Sequence, residues 1–190
     1  IPAAELAERF GTPLCVYDIR RIAERVRAFH NAFAGVEHLL AYSVKATGNL
    51  AILRRLHAMG CGADITSLGE LYRARQAGIS GRMIVFAGVG KTVPEIEAAL
   101  EYGIYAFNVE SRGELERIDE VATRLGRRAP FAIRVNPDVF AATPHDYTRT
   151  GTASTKFGVL WDETADLYLW AKDRPWLVAS GIDMHIGSQI

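Results

Sequence analysis

The sequence predicts an α/β fold in which parallel β-strands are covered by helices, and three observations support this prediction. Short apolar segments alternate with longer amphipathic segments along most of the chain. The apolar segments are almost continuously hydrophobic, which is typical of parallel strands that are buried on both faces. Three amphipathic segments begin with a capping box, in which a Ser or Thr is followed three residues later by Glu: Ser67/Glu70, Thr92/Glu95 and Ser111/Glu114.

The first part of the chain comes before this alternation. Helical spacing over residues 3–10 stops at Gly11, and residues 14–17 form a short strand candidate. Asp18 stands at the position of a helix N-cap, and apolar residues recur at helical spacing from there to Phe33. The sequence therefore predicts a leading helix, a short strand and a second helix that ends at Gly35.

Beyond Gly35 the chain alternates between strand candidates and helices. Six strands are predicted at residues 38–44, 63–66, 83–87, 104–109, 131–135 and 178–185. Five helices are predicted at residues 50–59, 68–77, 93–102, 112–125 and 162–172, and one long connection runs from Asn136 to Trp161. Hydrophobic periodicity does not distinguish an open doubly wound sheet from six-eighths of a (β/α)8 barrel, so both architectures remain open at this point.

The composition excludes several classes of protein. The 190 residues include 22 Lys plus Arg and 22 Asp plus Glu, and 49% are hydrophobic, which excludes a disordered chain and disfavours a nucleic-acid partner. No apolar run is long enough to span a bilayer, so no membrane partner is expected. Only Cys15 and Cys61 are present, which fits a reducing compartment, and we expect a cytoplasmic protein.

Lys45 is the candidate functional residue that stands out by position. It closes an almost wholly apolar strand, and both candidate architectures place their sites at the carboxyl ends of such strands. Partial burial there would disfavour the charged ammonium, as a lysine that forms a Schiff base requires. The competing interpretation is a lysine whose stem covers apolar surface while its charged end reaches water.

Other strand ends also carry polar residues, and these should meet at one edge of the sheet. Side chains alternate along a strand, so Asp183 and His185 share a face opposite Met184, and Arg134 and Asn136 share another. Each residue alone is explained by a cap, an ion pair or a solvated loop edge, and Glu70 already has a capping role. Together the polar strand ends predict a site, formed from Asp64, Asn108, Glu110, Arg134, Asn136, Asp183 and His185.

Gly88-Val-Gly-Lys-Thr92 invites a second interpretation as a phosphate-binding P-loop, because it follows a strand and opens a helix. The full motif requires a glycine where this chain has Val85. We therefore predict a strand–turn–helix junction in which Thr92 is the cap. The five histidines show no paired ligand spacing, and no metal is expected.

Seven segments, in order, resemble the fold-type III PLP-dependent decarboxylases. The resemblance covers the chain from Gly11 onward, and seven motifs in the same order are far more specific than any one of them. They are Tyr42-Ser-Val-Lys-Ala46, Ala63-Asp-Ile-Thr-Ser-Leu-Gly-Glu-Leu71, Phe86-Ala-Gly-Val-Gly-Lys-Thr92, Phe107-Asn-Val-Glu-Ser111, Arg134-Val-Asn-Pro-Asp138, Lys156-Phe-Gly158 and His185-Ile-Gly-Ser-Gln189.

The resemblance implies a partial (β/α)8 TIM barrel, with about six of eight strands present, and a mostly absent second β domain. Residues 1–18 would supply a strand to that second domain, and residues 19–190 would form the truncated barrel that binds pyridoxal 5'-phosphate. Lys45 then matches the lysine that holds the cofactor covalently, His185 the residue that stacks on its ring, and Ser188 a residue near its phosphate. Other cofactor-binding positions match Asp64, Glu70 and Arg134.

The activity implied by the resemblance is decarboxylation of a small amino acid, by a homodimer when full length. The best-matching branch of the family converts meso-diaminopimelate to L-lysine and CO2 in lysine biosynthesis. Sibling enzymes that act on arginine, ornithine or carboxynorspermidine remain alternatives, as does a PLP-binding carrier barrel without catalysis.

Two features of the sequence depart from the family pattern: Thr47, and a loose motif from His145 to Gly151. The phosphate loop, the acidic partner of the ring nitrogen and a Glu-Pro-Gly-Arg segment are expected beyond Ile190, so we expect this fragment alone to be inactive.

Overall fold

A computed structural model of the chain describes residues 1–139, 150–152 and 156–188. The chain divides into two compact units, Ile1–Glu37 and His38–Ile190. The first unit holds helices α1 (Ala3–Phe10) and α2 (Ile19–Ala32), close to their predicted bounds. Asp18 caps α2 as predicted, because its Oδ1 accepts hydrogen bonds from the backbone N–H groups of Arg20 and Arg21.

The segment between α1 and α2 differs from the prediction. Residues 14–17 pair with no strand among the described residues, and the side chains of Leu14, Val16 and Tyr17 are exposed. A strand needs a neighbour to satisfy its N–H and C=O groups, and the short apolar pattern contained no information about that neighbour. The assignment of residues 1–18 to a second β domain stays a prediction.

The second unit is a parallel sheet with helices between its strands. The strands are β1 (Ala41–Ser43), β2 (Gly62–Ile65), β3 (Ile84–Phe86), β4 (Ala106–Val109), β5 (Ala129–Asn136), β6 (Val159–Leu160) and β7 (Leu177–Asp183). The helices are α3 (Leu50–Ala58), α4 (Leu68–Gln76), α5 (Val93–Tyr102), α6 (Arg112–Leu125) and α7 (Trp161–Lys172). No helix in these described stretches has the length and apolar character that a membrane crossing requires.

Strand order decides between the two architectures that periodicity left open. Strands β1 to β5 lie side by side in chain order, and β7 continues the series along the free edge of β5. A doubly wound sheet would reverse direction at a switch point, whereas a barrel adds each strand beside the previous one. The described sheet therefore has the order of a (β/α)8 barrel, with β6 as a short extra pairing at Val135 and Asn136.

The five predicted helices and six predicted strands of this unit all form, and among the described strands β6 is the one that the sequence prediction missed. β6 has two residues and lies within the long connection, so it carries no periodic signal. Parts of that connection, including most of the loose motif at residues 145–151, lie outside the described residues.

The core lies between the sheet and its helices. Phe86, Phe107 and Phe131 are fully buried on the helix-facing side, and the rings of Phe86 and Phe107 stack with centroids 6.0 Å apart. Alternation along β5 sends Phe131 and Ile133 to this side and Arg134 to the other. The core thereby fixes which strand residues can face the interior of the barrel.

The three predicted capping boxes start their helices, but only one forms in full. In the Thr92/Glu95 box, Glu95 accepts a hydrogen bond from the backbone N–H of Thr92. Ser67 and Ser111 accept from the third helical N–H as expected. Their glutamates instead reach one residue further back, to the backbone N–H groups of Thr66 and Glu110. Each of these N–H groups belongs to the residue that directly follows a parallel strand, so the side chains of Glu70 and Glu114 lie toward the carboxyl edge of the sheet.

Candidate active site

The carboxyl ends of the strands surround a cavity of about 490 Å³. Because parallel strands all end at the same edge, the polar strand-end residues converge there, as the sequence predicts. Of the six residues that the family resemblance assigns to the site, five line the cavity: Lys45, Asp64, Arg134, His185 and Ser188. Further lining residues include Thr66, Gly88, Asn108, Thr150, Lys156, Phe157, Asp183 and Met184.

Lys45 lies in a single turn of 3-10 helix, Val44–Ala46, that follows β1. Val44 is buried and anchors this turn, whereas the side chain of Lys45 is exposed at the cavity. The predicted partial burial of Lys45 is therefore wrong, because the turn carries the residue past the end of the strand to the open mouth. An exposed amine at this position is accessible to a molecule that enters the cavity.

Asp64 is placed beside β1 by the sheet register, in which it pairs with Ser43. The Ser43 hydroxyl donates a hydrogen bond of 2.8 Å to Asp64 Oδ2. Burial raises the pKa of the Asp64 carboxyl, and the Ser43 hydrogen bond and the positive charge of Lys45 act in the opposite direction. Burial therefore makes the charged form of Asp64 unfavourable, and its two neighbours offset part of that cost.

Glu70 is the sixth of these residues and does not line this cavity, and neither do Glu110 and Asn136 from the predicted strand ends. Its Oε2 accepts hydrogen bonds from the backbone N–H and the hydroxyl of Thr66, at 2.6 and 3.0 Å. Glu70 lines a separate shallow depression together with Lys45 and Arg73. It therefore fixes the end of β2 beside the lysine, and its predicted contact with the cofactor stays a prediction.

Arg134 is held from two sides. Its Nη1 donates to Glu110 Oε1 at 2.8 Å, and its Nη2 donates to the backbone carbonyl of His185 at 3.2 Å. Both members of the Arg134–Glu110 ion pair are buried, and Glu110 Oε2 also accepts from the backbone N–H of Gly158. Arg134 consequently positions the backbone of His185 as well as lining the cavity.

A second buried ion pair lies behind the first. Lys91 is 3% exposed and donates to the carbonyls of Gly88 and Asn108 and to Glu114 Oε1, at 2.7 to 2.8 Å. These three bonds use the donor capacity of an ammonium group, so Lys91 has none left for a phosphate. The strand–turn–helix interpretation of the Gly88–Thr92 segment agrees with this geometry, and the P-loop interpretation does not.

His185 is oriented by Thr150, which the sequence analysis did not single out. The Thr150 hydroxyl donates to the His185 carbonyl at 2.8 Å and lies 3.0 Å from its Nδ1. Since a hydroxyl has one proton, a hydrogen bond at Nδ1 requires Nδ1 to be the donor, which leaves Nε2 without the proton in the neutral ring. Thr150 lies beyond the end of β5 in the long connection, where the sequence carries no periodic signal.

Asp183 lies opposite Arg134 in the sheet register and lines the same cavity. Burial raises the pKa of its carboxyl, and the charge of Arg134 opposes that effect. Met184 lines the cavity too, although strict alternation predicted the opposite face, because β7 ends at Asp183. Asn136 takes a structural role: its amide nitrogen donates to the carbonyls of Thr152 and Phe157.

Comparison with known proteins gives this arrangement a family. A model described as "Pyridoxal-dependent decarboxylase, pyridoxal binding domain" matches residues 19–190. The chain belongs to the pyridoxal-dependent decarboxylases. Its barrel unit is accordingly a pyridoxal-binding domain of that family.

Two bacterial relatives and one crystal structure of the family illustrate the match. Diaminopimelate decarboxylases from Pseudomonas aeruginosa and Neisseria meningitidis serogroup B are 46% and 45% identical over 190 residues, which is 100% of this chain and 46% of each relative. The diaminopimelate decarboxylase of Helicobacter pylori, complexed with L-lysine, superposes with a TM-score of 0.95 at 42% identity. That alignment covers 100% of this chain and 48% of the other. The chain thus spans just under half the length of these pyridoxal-dependent decarboxylases.

The described residues fit pyridoxal phosphate. The aldehyde of that group requires an accessible lysine amine, which Lys45 provides at the cavity. Its phosphate requires donors, and the hydroxyl of Ser188 and the ammonium of Lys156 line the same space. The cavity volume of about 490 Å³ lies within the range of small-ligand sites.

Proposed function

We propose that the protein containing this chain is a carboxy-lyase that converts meso-diaminopimelate to L-lysine and CO2, with pyridoxal phosphate held in the barrel cavity. One observation carries the proposal: the fold brings Lys45 and four other predicted site residues into one cavity of a pyridoxal-binding domain. The names of the relatives that match the whole chain support diaminopimelate as the substrate.

The cofactor, when bound, supplies an electron sink for the charge that remains after loss of CO2. Lys45 is the amine that would hold it, and Lys45 Nζ is the atom that would move a proton within the cavity. Asp64 lines the same cavity as Lys45, and the positive charge of Lys45 partly offsets the cost of burying the Asp64 carboxylate. These two residues therefore place an amine and a carboxyl group in the same cavity.

The residues around His185 would orient the bound cofactor. Thr150 and Arg134 fix the backbone and the ring of His185, so that a planar imidazole would lie against a planar ligand with little freedom to rotate. Ser188 would donate its hydroxyl to the phosphate group. Rigid positioning of this kind lowers the entropic part of a reaction barrier.

A homodimer and a cytoplasmic location belong to the same proposal. The homodimer comes from the resemblance to the family, whereas the location comes from the use of only two cysteines, which fits a reducing compartment. The substrate of the full protein would be a small amino acid, with no role for nucleic acid.

The experiment is a CO2-release assay on the complete protein with pyridoxal phosphate. We expect turnover of meso-diaminopimelate in preference to L-arginine, L-ornithine and carboxynorspermidine. Lys45→Ala should lower kcat by at least about a thousandfold, since it removes the reacting amine. Lys172→Ala, which removes an exposed lysine at the end of α7, is the matched control and should leave kcat unchanged.

Two results would overturn the proposal. Preferential turnover of arginine, ornithine or carboxynorspermidine would make the protein a sibling decarboxylase. Binding of pyridoxal phosphate at Lys45 without release of CO2 from any of the four amino acids would identify a carrier barrel.

A further inference from the structure

The pairing of β7 with β5 changes register by one residue in the middle of the ladder. Phe131 pairs with Ala179, but the next residue, Ala132, pairs with Gly181. Ser180 is therefore an extra residue on β7, which is the definition of a β-bulge.

The bulge decides which residues of β7 face the cavity. In the observed register Asp183 is opposite Arg134, and both line the cavity. Without the extra residue, Ile182 would take the place opposite Arg134, and Asp183 would turn toward the helices, because a shift of one residue reverses every side chain. His185 follows Asp183 by two residues, so the shift would also displace its backbone.

Two hydroxyl groups fill the gaps that the bulge leaves in the ladder. The Ser180 hydroxyl donates to the carbonyl of Phe131 at 2.9 Å. The Tyr168 hydroxyl accepts from the backbone N–H of Ile133 at 2.9 Å and donates to the carbonyl of Gly181. The Tyr168 hydroxyl thus bridges the N–H of Ile133 on β5 and the carbonyl of Gly181 on β7, which directly follows the extra residue Ser180.

Tyr168 is itself fixed in this position. It lies on α7, and its ring stacks on Phe131 with centroids 5.8 Å apart and an interplanar angle of 21°. The hydroxyl is therefore presented to the ladder by a rigid ring on a helix outside the sheet, rather than by a mobile loop.

We propose that Tyr168 is a positioning residue: its hydroxyl holds the bulge in β7 that brings Asp183 to the cavity side and sets the position of the chain that leads to His185. The residue touches neither substrate nor cofactor and acts through the register of the strand. This inference rests on the proposed function for its kinetic consequence, but its geometric part concerns the cavity alone.

The test is Tyr168→Phe in the complete protein, which removes the hydroxyl and keeps the stacked ring. Tyr102→Phe is the matched control, because Tyr102 is also half-buried and donates its hydroxyl to a carbonyl, that of Ile79, at 2.8 Å. We expect Tyr168→Phe to lower kcat for diaminopimelate by about tenfold or more with KM within about threefold, since small displacements of catalytic groups affect the chemical step most.

A second readout does not depend on turnover. The absorbance spectrum of bound pyridoxal phosphate should change in Tyr168→Phe, because Asp183 and His185 move relative to it, and should not change in Tyr102→Phe. If the wild-type protein binds the cofactor but releases no CO2, the proposed function fails and this spectrum alone decides the inference. An absorbance spectrum of Tyr168→Phe identical to that of wild type would overturn the role of Tyr168. Equal effects of Tyr168→Phe and Tyr102→Phe would overturn it too.

Discussion

Asp64 shows how a single residue in the cavity links function to stability. Its carboxyl has a pKa raised by burial, which the Ser43 hydrogen bond and the charge of Lys45 offset only in part. A raised pKa in the folded state means that the folded protein binds the proton more tightly than the unfolded chain. The charged form therefore lowers stability, and we interpret it as a cost that is retained for the chemistry of Lys45.

Asp64→Asn should reveal this cost as a pH dependence. The contribution of Asp64 to stability is fully present below the unfolded pKa of 3.8 and is lost as pH rises through the higher folded value. In chemical-unfolding experiments we expect the difference in unfolding free energy, wild type minus Asp64→Asn, to fall as the pH rises above the unfolded pKa of 3.8.

Asp18→Asn is the control with the opposite sign. The pKa of Asp18 is lowered, first of all by the hydrogen bond from the backbone N–H of Arg20, although burial acts against that effect. The contribution of Asp18 to stability is present above its unfolded pKa and is lost as pH falls through the folded value. The difference in unfolding free energy, wild type minus Asp18→Asn, should therefore rise with pH. Parallel curves for the two substitutions would contradict the assigned role of Asp64.

Among the elements, the buried Lys91–Glu114 pair connects the segment after β3 to the first turn of α6. The two side chains are 1% and 4% exposed, and Lys91 also binds the carbonyl of Asn108 at the end of β4. Burial raises the pKa of Glu114, and Lys91 opposes this shift. Removal of Lys91 would therefore leave an uncompensated carboxyl in the interior.

Lys91→Met should lower the free energy of unfolding by about 3–5 kcal/mol, the usual cost of breaking a buried pair. The double substitution Lys91→Met/Glu114→Gln should recover part of this loss, because it removes the unpaired charge as well. Arg124→Ala breaks the more exposed pair with Glu97 between α6 and α5 and should cost less than about 1 kcal/mol. Equal costs for Lys91→Met and Arg124→Ala in chemical unfolding would refute the buried-pair account.

The elements were predictable from sequence wherever a local signal existed. Capping residues located the starts of α4, α5 and α6, because a Ser or Thr that binds the third helical N–H is a local interaction. The glutamate partners were not predictable, since they depend on which strand-end N–H lies nearest in space. The two-residue strand β6 and the missing pairing of residues 14–17 likewise depend on neighbours that no local pattern specifies.

For the whole molecule, strand order and the shared carboxyl edge explain why the site was largely predictable. Polar residues at the ends of apolar strands had to meet once the strands were parallel, and Lys45, Asp64, Arg134 and His185 do so. The exposure of Lys45, the Thr150 contact and the bulge held by Tyr168 arise from turns and register. Those features depend on the assembled sheet, and sequence spacing does not encode them.

The central claim is that Lys45 is the amine that this cavity presents to pyridoxal phosphate, and borohydride reduction tests it most directly. The complete protein would be reduced in the presence of the cofactor, digested and analysed by mass spectrometry, with Lys45→Ala as the control that lacks the amine. Lys156 also lines the cavity and serves as an internal comparison within the same digest. The account predicts a pyridoxyl group on the peptide that contains Lys45 and its loss in Lys45→Ala. Labelling of the Lys156 peptide instead, or labelling that persists in Lys45→Ala, would contradict it.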